Sequence, residues 1–114
     1  AFFGTIAQRA LAEYYVDKAF ISCRTVSINN GITESTDQWA SIRHLMIERS
    51  DKQYLVVDHT KFGQTSFVRI CDFDEITTVI TDRPLDAKWH EVLRSKGCSV
   101  IDSDDEATIP ALLG

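Results

Sequence analysis

Three residues of different chemistry follow one short apolar run in this 114-residue sequence. The run is YLVV, residues 54–57, and Asp58, His59 and Lys61 come after it. Asp58 or His59 could transfer a proton, and Lys61 could bind an oxyanion. The same residues could instead hold an anion without reacting with it, because a lysine ammonium only donates hydrogen bonds. A third alternative is a polar loop in which Asp58 accepts hydrogen bonds from nearby backbone amides.

Two further polar residues also follow apolar runs. Arg24 comes after KAFISC, residues 18–23, and an arginine there could bind a carboxylate or phosphate through two hydrogen bonds. The alternative for Arg24 is an ordinary surface arginine. Asp82 comes after TTVIT, residues 77–81. It could face the same ligand as Asp58, or it could stabilise the turn that follows the run.

Helices alternate with short apolar strands along the chain. Capping-box patterns predict helix starts at Thr5 and Ser35, each three residues before a glutamine. A third helix is introduced by Asp86 and ended by Gly97. The turn signal Asn30-Gly31 separates the first strand from the second helix. Strands are predicted at residues 18–23, 54–57, 66–71, 77–81 and 99–101.

This order of elements predicts an α/β fold with a mostly parallel sheet layered with helices. Residues 54–57 are expected to be buried on both faces, and residues 66–71, which contain an arginine, to form an edge strand. The last six residues, IPALLG, are expected to form a short helix or a tether. Ligands of such folds bind beyond the carboxyl ends of the strands. Arg24, Asp58, Lys61 and Asp82 should therefore meet at one edge of the sheet.

Composition narrows the class of protein. One domain of 114 residues is expected, and a net charge of −5 with scattered basic residues argues against direct contact with nucleic acid. No apolar run approaches the roughly 20 residues of a membrane helix, and the amino terminus does not have the pattern of a signal peptide. A cytoplasmic protein without membrane contact is therefore expected.

Cofactor and metal chemistry have no motif in this sequence. Three cysteines, Cys23, Cys71 and Cys98, form no CxxC pair, which argues against a zinc site or a disulfide framework. They are expected to be small buried side chains, although Arg24 beside Cys23 could lower the pKa of that thiol. The sequence contains no glycine-rich phosphate loop and no nucleotide fingerprint. No cofactor and no metal are therefore predicted.

Five stretches occur together in an order that is typical of one family: DKAFISC, NNGITEST, RHLMIERSDKQYLVVDHTKFG, ITTVITD and LRSKGCSVI. Over about residues 4–101 they resemble the effector-sensing C-terminal domain of the DeoR family of bacterial transcription repressors. The most specific marks are D-x-[ST]-K-F-G and the TD that follows a strand. The resemblance implies that residues 1–114 form a homo-oligomeric sensor of a phosphorylated sugar or related metabolite. DNA would be bound by a separate N-terminal winged helix-turn-helix that lies outside this chain, and the sensor domain itself would be truncated at its N-terminus.

The sensor fold of that family is similar to ribose-5-phosphate isomerase, and this similarity bears on catalysis. The acidic segment of the isomerase falls on residues 21–27, ISCRTVS, where no carboxylate remains. Its catalytic glutamate falls on Arg43, which stays protonated and cannot act as a base. Its lysine-containing segment falls on residues 58–61, and Lys61 is retained. His59 occupies a position without a catalytic role and is expected to be solvated, and Trp39 stands at a position that is usually acidic in the repressors.

The resemblance therefore implies an effector site with no catalytic residue. Lys61 and Arg24 would hold the anion, and Asp58 and Asp82 would accept hydrogen bonds from ligand hydroxyls or from the backbone. Two alternatives remain from other functional classes. One is an enzyme of the sugar-phosphate isomerase type, and the other is an interaction or dimerisation module that binds no small ligand.

Overall fold

The structure, a computed structural model, describes residues 2–108 of the chain and the side chains of residues 5–105. The IPALLG segment lies outside the described residues. The helices are α1 (Phe2–Ala12), α2 (Asp37–Glu48) and α3 (Ala87–Ser95). The strands are β1 (Val16–Ile21), β2 (Thr25–Ser27), β3 (Gly31–Glu34), β4 (Ser50–Val56), β5 (Val68–Cys71), β6 (Thr78–Ile80) and β7 (Ser99–Ile101). Short 3₁₀ turns lie at His59–Lys61, Phe73–Glu75 and Ser103–Thr108.

Four strands form a parallel sheet in the order β1-β4-β6-β7. The predicted α/β fold with a mostly parallel sheet is confirmed. Leu55 of β4 lies between Ile21 of β1 and Val79 of β6 in the sheet register. This register brings the carboxyl ends of the three neighbouring strands to one edge of the sheet.

A second, antiparallel sheet in the order β2-β3-β5 was not predicted. Strands β2 and β3 form a hairpin around the predicted Asn30-Gly31 turn, and β5 lies at the edge of this sheet rather than in the parallel one. The buried hydroxyl groups of this antiparallel sheet form hydrogen bonds with one another and with the loop before β5. The Thr25 and Thr33 hydroxyls lie 2.7 Å apart, and Thr25 donates a 3.0 Å hydrogen bond to the Ser66 hydroxyl.

Two predicted helix starts are wrong and one is confirmed. Helix α1 already begins at Phe2, so Thr5 lies within it. Helix α2 is capped by Thr36, one residue after Ser35, and the Thr36 hydroxyl accepts a 3.2 Å hydrogen bond from a helix amide. Asp86 caps α3 as predicted, and Gly97 follows its end with φ of 75°.

The expectation that residues 54–57 are buried on both faces is wrong at one position. Tyr54, Leu55 and Val57 are buried, but Val56 is 45% exposed on the outer face of the parallel sheet. Phe20 of β1 lies on the same outer face, 42% exposed, and its ring stacks on that of Tyr54 with centroids 4.8 Å apart. The strand itself begins at Ser50, earlier than predicted.

One hydrophobic core lies between the inner face of the parallel sheet, the antiparallel sheet, α2 and α3. Leu55 and Val79 of the parallel sheet, Val26 and Ile32 of the antiparallel sheet and Leu93 of α3 are fully buried there. None of the helices within residues 2–108 is long and apolar enough to cross a membrane.

The three cysteines are buried free thiols, which confirms the prediction that they act as small hydrophobic side chains. Burial, with a smaller contribution from the carboxylate of Glu34, raises the pKa of the Cys23 thiol to about 12. Burial likewise raises the pKa of Cys71 to about 12 and that of Cys98 to about 11. The idea that Arg24 activates Cys23 is wrong, because the loss of hydration outweighs any nearby positive charge.

Gly31 and Gly97 provide a matched test of the hairpin turn. Both glycines have a positive φ, 73° and 75°. Because an alanine is strained in this conformation, G97A should lower the free energy of unfolding by roughly 1–2 kcal/mol. A Cβ at Gly31 would also lie 2.7 Å from the Cys71 carbonyl oxygen, whereas one at Gly97 meets no atom within 4 Å. We expect G31A to destabilise the protein by at least about 1 kcal/mol more than G97A in urea denaturation. Equal losses would contradict this packing argument.

The buried thiols should react slowly in the folded protein. With a pKa of about 12, Cys23 is thiolate in roughly one molecule in ten thousand at pH 8. We therefore expect iodoacetamide to label Cys23 about a thousandfold more slowly in the native protein than in guanidinium, as followed by mass spectrometry. Labelling of Cys23 at similar rates in both conditions would contradict the burial of this thiol.

Candidate functional site

Three loops meet at the carboxyl edge of the parallel sheet. They follow β1, β4 and β6, which are neighbours in the sheet, and they contain all four predicted effector residues. Arg24 lies in the first loop, Asp58 and Lys61 in the second, and Asp82 in the third. The structure therefore places the four residues at the shared edge, where open α/β sheets bind ligands.

Asp58 shapes the loop that follows β4. Its carboxylate caps the 3₁₀ turn His59–Lys61 by accepting a 2.8 Å hydrogen bond from the Thr60 amide and another from the Thr60 hydroxyl. These hydrogen bonds from Thr60 lower the pKa of Asp58 below its usual range. Asp58 is exposed and ionised, and it fixes the backbone from which Lys61 projects.

Asp82 joins the second and third loops. One carboxylate oxygen accepts a 2.7 Å hydrogen bond from the His59 amide, and the other lies 2.8 Å from Nδ1 of the His59 ring. The hydrogen bond from the His59 side chain lowers the pKa of Asp82. His59 is exposed to solvent as predicted, and its ring is in addition paired with a carboxylate that lies 23 positions further along the chain.

Lys61 stands at the end of an anchored turn. The next residue, Phe62, packs edge-on against the ring of Trp89 with centroids 5.0 Å apart. The Gly63 amide then donates a 2.8 Å hydrogen bond to the Val26 carbonyl of β2. Lys61 itself is half-buried, and its ammonium forms no ion pair with any residue between 5 and 105. A cation on a fixed backbone is thus available at the sheet edge.

Arg24 is exposed in the loop after β1. Its backbone amide donates a 3.1 Å hydrogen bond to the Thr33 carbonyl, which fixes the loop against β3. Its guanidinium makes no hydrogen bond or ion pair with the part of the chain whose side chains are described. The structure therefore places Arg24 at the predicted edge as a second cation without a partner there.

A second charged cluster at this edge was missed in the sequence. Arg43 of α2 donates from Nε to the Ser22 carbonyl oxygen, and the same Nε lies 3.4 Å from a carboxylate oxygen of Glu34. Glu34 is only 6% exposed, and it also accepts a 2.9 Å hydrogen bond from the Ser35 amide. The guanidinium lies over the ring of Trp39, 5.1 Å from its centroid.

The Cys23 thiol connects this cluster with the loop of Lys61. The charges of Glu34, Arg43 and Lys61 all act on the thiol, the first raising its pKa and the other two lowering it. Arg43 is hydrogen-bonded to Ser22 at the start of the segment that leads into β2, and Phe62, the residue after Lys61, pairs with Val26 of that strand. The Arg43 cluster and Lys61 are therefore parts of one edge.

The carboxylates at this edge are engaged by protein partners. Each of its carboxylates already has partners: Asp58 at Thr60, Asp82 at His59 and Glu34 at Arg43. A shallow depression of about 270 Å³ lies between the ends of β4 and β6 and is lined in part by Asp58 and Asp82. A larger groove of about 440 Å³ lies away from this edge, between α1, α2 and β5.

Metal binding has no geometric basis in the described part of the chain. No group of three or more His, Cys, Asp or Glu side chains there is placed to hold an ion. His44 pairs instead with Glu48 at 2.9 Å on the surface of α2. The edge itself offers two cations and several carboxylate oxygens, a set that suits an anion carrying hydroxyl groups.

Several known proteins with similar sequences are regulators of transcription. A helix-turn-helix transcriptional regulator of Bacillus subtilis, YulB, is 35% identical over 100 residues, which are 88% of this chain and 39% of that protein. An L-fucose operon activator of Haemophilus influenzae is 33% identical over 75% of this chain and 34% of its own length. A lactose phosphotransferase system repressor of Staphylococcus aureus is 33% identical over 72% of this chain and 32% of its own.

The chain spans about a third to two fifths of the length of these relatives. The family described as the DeoR C-terminal sensor domain matches residues 1–83, which include β1 to β6 and the three loops that carry Arg24, Asp58, Lys61 and Asp82. The relatives are transcriptional regulators, in agreement with the resemblance of the sequence. The chain belongs to the DeoR C-terminal sensor domain family.

Proposed function

We propose that this domain binds a phosphorylated sugar or a related small anionic metabolite and thereby changes how a separate domain binds DNA. The observation that carries the proposal is Lys61, a cation without an ion-pair partner in residues 5–105, held on a fixed turn at the ligand edge of the sheet. An ammonium in such a place suits a phosphate group. Asp58 and Asp82 lie beside it with oxygen lone pairs that can accept hydrogen bonds from sugar hydroxyls.

Arg24 is the second cation in this proposal. It is an exposed cation in the neighbouring loop, and its guanidinium can hold a phosphate or carboxylate oxygen through two hydrogen bonds. The His59–Asp82 pair supports the arrangement by holding the loops after β4 and β6 together at 2.8 Å. A ligand that contacts both loops would therefore meet a surface that is already formed.

The proposed regulation is a shift between two arrangements of the longer protein. A ligand that prefers one arrangement shifts the population toward it, and such couplings are typically ~1–3 kcal/mol. A winged helix-turn-helix is the proposed DNA-binding partner domain, and a homo-oligomer in the cytoplasm is the proposed working form. One relative is named an activator and another a repressor, so both directions of regulation are represented among similar proteins.

An isomerase-like enzyme is the second candidate, and one observation favours it. The exposed His59 ring beside Asp82 has the arrangement of a general base oriented by a carboxylate. The remaining groups favour binding, because Arg43 cannot accept a proton and Glu34 is buried against it. Turnover of pentose or hexose phosphates by the intact protein would support the enzyme and contradict the sensor proposal.

Lys61 provides the direct test. We expect K61A in the intact protein to weaken sugar-phosphate binding by roughly 10- to 100-fold, because a hydrogen bond to a charged group contributes ~1.5–3 kcal/mol. Isothermal titration calorimetry measures the affinity, and ligand at 100 times its Kd should stabilise the unaltered protein by ~2.7 kcal/mol. The matched control is K52A, which removes an exposed lysine near the amino end of β4.

Equal effects of K61A and K52A would contradict the role of Lys61. A protein that gains no stability from any sugar phosphate would contradict the sensor proposal as a whole. R24A is expected to weaken binding less than K61A, because an interaction of the exposed Arg24 is screened by water and costs the entropy of ordering a long side chain. An unchanged affinity in R24A would remove Arg24 from the site and leave Lys61 in place.

A further inference from the structure

Trp39 is a half-exposed aromatic ring at the ligand edge. It lies in the first turns of α2, where its amide donates a 3.2 Å hydrogen bond to the capping hydroxyl of Thr36. Its side chain is 52% exposed, whereas the other tryptophan, Trp89, is buried in the core with 8% exposed. An indole left so open to water has lost much of the free energy that burial would give it.

The Arg43 guanidinium holds the Trp39 ring from one side. It lies 5.1 Å from the ring centroid, and it is itself fixed by Ser22 after β1 and by the buried Glu34. These partners restrain Arg43, because Nε and one Nη are directed to oxygens of Ser22 and Nε also lies 3.4 Å from Glu34. The ring is therefore supported by a rigid neighbour while about half of its surface stays in contact with water.

The Trp39–Arg43 pair and Lys61 both lie along the segment that follows β1. Arg43 is hydrogen-bonded to Ser22, at the start of the segment that leads into β2. On the other side of that segment, Phe62, the residue after Lys61, pairs with Val26, and the Gly63 amide donates a 2.8 Å hydrogen bond to the Val26 carbonyl. The supported indole and the free ammonium thus border the same segment of the sheet edge. One carries a flat apolar surface and the other a positive charge.

We propose that the exposed face of Trp39 stacks on the ring of a cyclic sugar whose phosphate is held at Lys61. The inference rests on the proposed function and makes it more specific, because it selects ring-form sugar phosphates over open-chain polyol phosphates. A sugar ring presents a rigid face of C–H groups, and the faces of an aromatic ring carry negative charge density that attracts them. An open-chain polyol has no such fixed face and would keep only the polar contacts.

The test compares ring and open-chain ligands that carry the same phosphate. Glucose 6-phosphate, galactose 6-phosphate and ribose 5-phosphate are the cyclic probes, and the hexitol and pentitol phosphates made by reducing their free anomeric carbons are the open-chain probes. We expect W39A in the intact protein to weaken binding of the preferred cyclic probe by about 3- to 10-fold and to leave its open-chain form unchanged. W39F, which keeps a smaller ring, should lose less, and K61A should weaken both probes.

Fluorescence gives a readout that a purely structural role of Trp39 would not change. The emission of the unaltered protein should change on addition of the cyclic probe and not of its open-chain form, and the change should be absent in W39F. F67A is the matched control, since it removes an aromatic side chain that is 92% exposed in the loop before β5. We expect F67A to leave both affinities unchanged.

The outcomes separate the two proposals. Binding that K61A weakens and W39A does not would overturn the stacking inference and keep the proposed function. An equal loss of both probes in W39A would overturn the ring selectivity and show a general structural role. Binding of no probe by the unaltered protein would contradict both proposals.

Discussion

Parallel pairing of β1, β4 and β6 is the constraint on which the rest of this domain depends. Parallel neighbours end at the same edge, so the residues that follow each strand are brought together although they are far apart in the chain. Arg24, Asp58 and Asp82 share an edge for this reason alone. The antiparallel sheet then closes the core and, through the Gly63–Val26 hydrogen bond, fixes the turn that carries Lys61.

Some charged side chains at this edge are paired with other protein groups, and others have no ion-pair partner among the described residues. Glu34, Asp82 and Arg43 are satisfied by protein partners, and these contacts hold the loops in position. Lys61 and Arg24 remain as cations without ion-pair partners in the described part of the chain. This division supports the proposed binding of an anion over the alternative in which the edge takes a proton from its ligand.

Sequence patterns predicted the parallel sheet well, because a strand in it reads as a continuous apolar run such as residues 54–57, although Val56 is exposed. The start of α3 at Asp86 and its end before Gly97 were also predicted from the sequence, since each depends on local chemistry. The β2–β3 hairpin was missed because its strands have three and four residues, and polar ones such as Thr25 and Thr33 are buried by pairing with each other. The His59–Asp82 and Glu34–Arg43 contacts depend on tertiary structure and have no local signal.

The outer face of the parallel sheet has a consequence for how a signal could leave this domain. Parallel sheets are normally covered on both faces. On the outer face of this sheet, however, Phe20 is 42% exposed and Val56 is 45% exposed. Val56 also lines the depression that contains Asp58 and Asp82. Any surface that covers this apolar strip would touch the rim of the proposed anion site, so a ligand and a docked surface would share a boundary there. If the ligand changed the affinity for that surface, the surface would change the affinity for the ligand by the same factor.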